Sequence, residues 1–147
     1  MDADALPARE AIRDLMARYH LAGDRGRLAE ILDCFTANGV LEIDGETPLV
    51  GRDAIHARLA RAIDERQPSS VRPLVRHHLT TCRIEVTSPR EASAIAYFLV
   101  VTEIGLDHAG RYVDRFACDG GIWRLAQRRV VVEWMAEASR FPRAASR

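Results

Sequence analysis

Arg76-His77-His78-Leu79-Thr80-Thr81-Cys82-Arg83-Ile84-Glu85-Val86 is where the chain changes its periodicity. From Arg83 onward, charged and apolar residues alternate with a period of two, the mark of a strand with one wet and one dry face. Ile84 and Val86 face inward on that phase, and carrying it back puts His78, Thr80 and Cys82 on the same side. A bulge between residues 78 and 84 would bring His77 inward instead. The strand spans 75–87, and three more long antiparallel strands follow at 92–104, 110–118 and 122–134, each bounded by Pro, Gly, Asp or Ser clusters.

Upstream of Pro73 the pattern is mostly helical. Ile12, Leu15, Met16 and Tyr19 recur on one face of a helix that starts near Pro7. The stripe breaks at Gly23-Asp24 and resumes with Leu28, Ile31, Leu32 and Phe35, predicting a second helix that Asn38-Gly39 ends. Val40, Leu41 and Ile43 make a short strand, and Asp44-Gly45 turns into a loop ending at Gly51. A third helix carries Ile55, Leu59, Ala62 and Ile63 and closes in the polar loop Gln67-Pro68-Ser69-Ser70. Helices first and strands after make an α+β domain rather than alternating βαβ units. The expectation is one domain over 1–147, with a core at about 8–134 and a tail at 135–147 whose last residues are loose.

Composition narrows the function. The 21 basic and 21 acidic residues balance, so no net field draws the chain to nucleic acid or an anionic membrane. Every basic residue is arginine, which excludes lysine Schiff-base chemistry. Cys34, Cys82 and Cys118 lack the close pairings of metal ribbons or disulfide scaffolds and read as reduced core thiols. The start Met-Asp-Ala-Asp has no secretion pattern and no apolar run spans a bilayer, so the expected location is the cytoplasm.

Two titratable residues stand out, each with an ordinary explanation. Asp24 at the helical corner suits an N-cap for the second helix, and an inward His78 suits a hydrogen-bonded core histidine. His20, His56 and His108 read as structural or solvated, leaving no second inward histidine.

In combination these residues carry a resemblance. Ala11-Ile12-Arg13-Asp14-Leu15, Tyr19, Asp24-Arg25-Gly26, Phe35 before Asn38-Gly39-Val40, Gly51-Arg52-Asp53-Ala54-Ile55 and His77-His78-Leu79 stand in a telling order. Gly110-Arg111-Tyr112-Val113-Asp114-Arg115, Gly121-Ile122-Trp123-Arg124-Leu125 and Arg128 continue it. Across residues 8–134 the chain resembles the SnoaL-like branch of the nuclear-transport-factor-2-like superfamily. That resemblance implies a cone-shaped barrel, a highly curved antiparallel sheet packed against three N-terminal helices, enclosing an apolar pocket.

It also implies chemistry. In the branch that includes scytalone dehydratase, hexachlorocyclohexane dehydrochlorinase and bile-acid dehydratase, an aspartate after the first helix and a histidine on the first long strand form a catalytic dyad. Asp24 and His78 take those places, and Tyr19, five residues before Asp24, matches the tyrosine of the bile-acid enzymes. The implied activity is a cofactor-independent lyase or isomerase acting on a small apolar, aromatic, polyketide or terpenoid molecule, with no metal required. A carboxylate accepting the histidine Nδ1 proton leaves Nε2 as a base.

Tyr97, Tyr112, Asp114 and Arg128 are the expected pocket-lining residues. Asp114 is alternatively the ion-pair partner of Arg128 or Arg129, and Arg128 alternatively grips a substrate carboxylate or oxyanion through its two-pronged edge. A rival class is a ligand-binding or accessory subunit, such as the β-subunit of a ring-hydroxylating dioxygenase. Apolar residues on both sides of the last strand, Val130, Val131, Val132 and Trp134, predict a homodimer through the sheet.

Overall fold

Ile12, Leu15 and Met16 are buried along one side of α1 (Leu6–Asp24), whose first turn contains Pro7. The structure, a computed structural model, describes residues 5–66 and 73–142. The chain turns at Gly26, whose φ of 66° is unfavourable for any residue with a side chain, and enters the short α2 (Leu28–Asp33). The helix α3 (Arg52–Arg66) buries Ile55. The loop expected at Gln67–Ser70 and the last five residues of the tail lie outside the described residues.

The strands β1 (Phe35–Ile43), β2 (Leu49–Val50), β3 (Arg76–Ser88), β4 (Glu91–Thr102), β5 (Gly105–Asp119) and β6 (Ile122–Met135) form one six-stranded sheet in the order β2-β1-β6-β5-β4-β3. The sheet is curved and unclosed, and the three helices pack on it to give a cone-like α+β fold. Alternation is cleanest in β4, where Ala92, Ala94, Ala96, Phe98 and Val100 are buried and Ile95, Tyr97 and Leu99 are exposed. Each fully buried large apolar side chain, such as Phe35 or Phe98, stabilises the fold by about 1.5–3 kcal/mol.

Three expectations are corrected. The sheet is mixed, because β1 runs parallel to β6 while the other pairings are antiparallel. Phe35 belongs to β1 rather than to the second helix, and Asn38-Gly39 lies within β1, where the register shifts between Phe35 and Val40. The strand expected at 110–118 begins at Gly105, so His108 is a buried strand residue rather than a turn residue. Packing on β6 and on the inner face overrides the local helical stripe at Phe35.

The closest backbone approach in the sheet is at Gly110. A Cβ there would lie 1.9 Å from the Val131 carbonyl oxygen, so glycine is required where β5 and β6 shift register. Beyond β6, the tail is tied to Asp107, a carboxylate with no solvent exposure. Thr102 Oγ1, His108 Nδ1, Ser139 Oγ and the Arg140 amide all reach its oxygens, at 2.5–3.0 Å. This seats Phe141 against His108 and the inner cluster around Phe98.

Candidate active site

β3 carries a bulge between Leu79 and Cys82. Ile84 and Val86 point inward as expected, but the extra residue reverses the phase beyond Thr80–Thr81. His78 and Thr80 are therefore exposed on the outer face, and His77 takes the inward place. This corrects the expectation for His78.

His77 meets Asp24, the last residue of α1, with Nδ1 2.6 Å from Oδ1. The His77 backbone amide also donates to the same carboxylate, at 3.1 Å to Oδ2 and 3.3 Å to Oδ1. Both side chains are largely shielded, with 18% of the His77 side chain and 8% of the Asp24 side chain exposed. Asp24 does not act as a helix cap, since the N-cap position of α2 is Arg27, with no side-chain cap hydrogen bond. With the carboxylate accepting from Nδ1–H, Nε2 carries the lone pair.

Behind the dyad lies a buried polar cluster. Arg128, with no exposure, donates from Nε to Asp114 Oδ1 at 2.9 Å and from Nη2 to Oδ2 at 2.7 Å. Its guanidinium is sandwiched between the rings of Tyr19 and Tyr112, 4.4 and 4.1 Å from their centroids. Burial works against the Arg128 charge, but Asp114 outweighs it and keeps the group cationic. The two-pronged edge expected to hold a substrate anion is thus occupied by Asp114, as the ion-pair alternative had it. Burial raises the Tyr19 and Tyr112 hydroxyls above the usual range despite the opposing pull of Arg128, so both stay protonated donors at neutral pH.

Sequence reasoning missed His20. It is buried, its ring stacks on His77 at 5.2 Å and 25°, and it lies 5.2 Å from the Tyr112 ring. Arg128 Nη1 is 3.3 Å from its Nε2. Burial, with Arg128 and His77 adding to it, holds the His20 imidazole well below its ordinary range. The signal was present in the sequence, because Ile12, Met16 and His20 follow one another at four-residue spacing on the buried face of α1.

Tyr97 is the other correction: it is exposed on the outer face of β4, opposite Arg111, and lines nothing near the dyad. The room beside Asp24 is a cavity of about 20 Å³ bordered by Ile63, Arg66, Pro73 and Val75. That is space for about one water molecule. A broader hollow of about 460 Å³ bordered by Arg18, Leu21, Arg25, Ala29, Glu30 and Asp33 contains none of the dyad or cluster residues. Among the described residues, no three His, Cys, Asp or Glu side chains gather as they would around a metal ion, and no helix is long and apolar enough to cross a membrane.

Residues 4–129 match the family model described as a SnoaL-like domain. The chain belongs to the SnoaL-like family. Among solved structures, it is similar to a putative scytalone dehydratase from Novosphingobium aromaticivorans, at 21% identity and a TM-score of 0.83, covering 99% of this chain and 95% of that one. A protein of unknown function from Mycobacterium tuberculosis is 28% identical, with a TM-score of 0.73 and coverage of 90% and 75%. The β-subunit of a putative aromatic-ring-hydroxylating dioxygenase from N. aromaticivorans is 24% identical, with a TM-score of 0.71 and coverage of 92% and 95%. No curated protein matches the sequence. The likenesses at 21% and 24% are of fold alone, and this SnoaL-like chain shares that fold with proteins described as a putative scytalone dehydratase and as the β-subunit of a putative dioxygenase.

Proposed function

We propose that this SnoaL-like protein is a cofactor-independent lyase or isomerase in which His77 is the general base and Asp24 its orienting carboxylate. The observation that carries the reading is the 2.6 Å contact between His77 Nδ1 and Asp24, which leaves Nε2 as the proton acceptor. In the proposed step, Nε2 takes a proton from a carbon beside a carbonyl or a leaving group. The C–H electron pair becomes a C=C bond while either the leaving group departs with its bonding pair or the carbonyl π pair moves onto oxygen; in an isomerisation the imidazolium then returns the proton to a different carbon as the carbonyl re-forms. Tyr19, protonated at neutral pH, donates to that oxygen, and Asp24 stabilises the imidazolium.

The substrate class is a small, largely apolar organic molecule, because the apolar cluster of Val75, Phe98, Val100 and Tyr112 reaches the dyad where His77 pairs with Val100. A cavity of about 20 Å³ does not hold such a molecule, so binding requires the side chains around it, Arg66 among them, to move. The same closed space favours a second reading, an accessory or ligand-binding domain without turnover. We further place the protein in the cytoplasm, with its three cysteines as free thiols, and as a homodimer through the outer sheet face, where Ile95, Tyr97, Leu99, Val113 and Trp134 are exposed.

The test is a panel of small β-hydroxy and β-halo ketones and α,β-unsaturated ketones, followed by proton NMR in D2O with His77→Ala as the blank. Elimination, isomerisation or carbon-bound deuterium uptake in the wild type alone supports the enzyme. Equal behaviour of wild type and blank across the panel leaves the accessory reading in its place.

A further inference from the structure

His20 takes no proton in the proposed step, yet its side chain touches both the dyad, at His77, and the buried ion pair, at Arg128. Its Nε2 lies 3.3 Å from Arg128 Nη1. A guanidinium only donates, so Nε2 must hold its lone pair and the proton of a neutral ring must sit on Nδ1. The Arg128 end is itself fixed, by two bonds to Asp114 and by the rings of Tyr19 and Tyr112. The imidazole of His20 is therefore set in tautomer and orientation before His77 is considered. Its flat face then lies against His77 at 5.2 Å and 25°.

We infer that His20 is a positioning residue, a ring anchored by Arg128 whose stacked face holds the His77 imidazole in the plane where Nδ1 meets Asp24. Its catalytic meaning rests on the reading of His77 as the base, but the contact itself is testable without turnover. Among the described residues, the polar and aromatic groups against His20 are Tyr19 on its own helix, His77 on β3, Tyr112 on β5 and Arg128 on β6, the last held in turn by Asp114 on β5. Apart from His77, the ionisable members are the paired Arg128 and Asp114 and two tyrosines that stay protonated at neutral pH.

Imidazole nitrogen NMR of the full-length, uniformly 15N-labelled protein tests the inference. At neutral pH His20 is expected as the neutral Nδ1–H tautomer, and the His77 Nδ1 proton as a slowly exchanging signal. His20→Ala should speed exchange of that His77 proton severalfold, because exchange follows local opening of the contact. His20→Phe keeps a ring against His77 and should restore most of the protection. His20→Gln keeps an acceptor for Arg128 but no ring, and should not. A neutral Nε2–H tautomer or a charged His20 at neutral pH overturns the inference, as does unchanged His77 exchange in a folded His20→Ala. If that variant does not fold, equal exchange in the Phe and Gln variants overturns it. Failure of the dyad reading is separate, since it appears as full turnover in His77→Ala while these spectra are unaffected.

Discussion

Asp24 and His77 are 53 residues apart in the chain and are joined twice, once through the imidazole Nδ1 and once through the His77 backbone amide. The double attachment fixes the carboxylate relative to the strand as well as to the ring. The end of α1 is thereby tied to the start of β3, and side-chain and backbone geometry support each other.

The neighbouring histidines should differ sharply. His77→Ala and Asp24→Asn should each lower turnover by about 100-fold or more, while His78→Ala, altering an exposed outer-face residue, should leave it within about twofold. Steady-state rates on any substrate found in the panel decide this, and a large loss in His78→Ala with none in His77→Ala would reverse the assignment.

The Arg128–Asp114 pair has 0% and 1% side-chain exposure, so removing one partner strands a charge. Arg128→Met or Asp114→Leu alone should destabilise by about 3–5 kcal/mol, whereas the double change should recover much of that loss. Urea unfolding of the three variants measures it, and additive losses would show that the charges are not coupled.

Stability should fall on mild acidification. Burial holds both His20 and His108 below the ordinary imidazole value of about 6.5, so the unfolded chain binds protons that the folded one refuses. The stabilisation is complete above the unfolded value and is lost progressively as pH drops from about 6.5 toward the folded values. Melting temperatures between pH 7.5 and 5 should decline, and less steeply in His20→Phe; a flat profile in the wild type contradicts this.

Gly110→Ala brings a Cβ to 1.9 Å from the Val131 carbonyl oxygen, and backbone cannot step aside as a flexible side chain can. The expected loss is at least about 3 kcal/mol, the upper end for overpacking. Gly120→Ala meets no atom within 4 Å and isolates the lesser cost of its positive φ of 57°. Thermal unfolding of the two variants side by side gives the comparison, with Gly110→Ala expected to be the worse.

Much of the architecture was legible because it depends on long, regular signals. The apolar stripe of α1 and the alternation through β4 survive folding unchanged. Asp24 read locally as a helix cap and became a site candidate only through the family resemblance, whereas Tyr112, Asp114 and Arg128 share a face by simple parity. What escaped depends on single-residue irregularities. The Thr80–Thr81 bulge exchanged His77 for His78, and period two carries no marker for such an insertion. Tyr97 is different, because no irregularity hid it: it sits out of phase with Ala96 and Phe98, and regular alternation along β4 alone places it outside. Phe35 continued a helical spacing that pairing with Leu125 overrode.

That last pairing has a further consequence. Phe35 through Ile43 acquires its parallel neighbour only from Leu125 through Val130, near the far end of the chain. Closing so long a loop is entropically costly and such distant pairings form slowly. During synthesis on the ribosome, the first strand can pair early with β2 along one edge, but its other edge must wait until β6 has emerged. The meander from β3 to β6 can assemble from local hairpins meanwhile, so folding should run from the C-terminal half back toward the N-terminal one, opposite to the direction of translation.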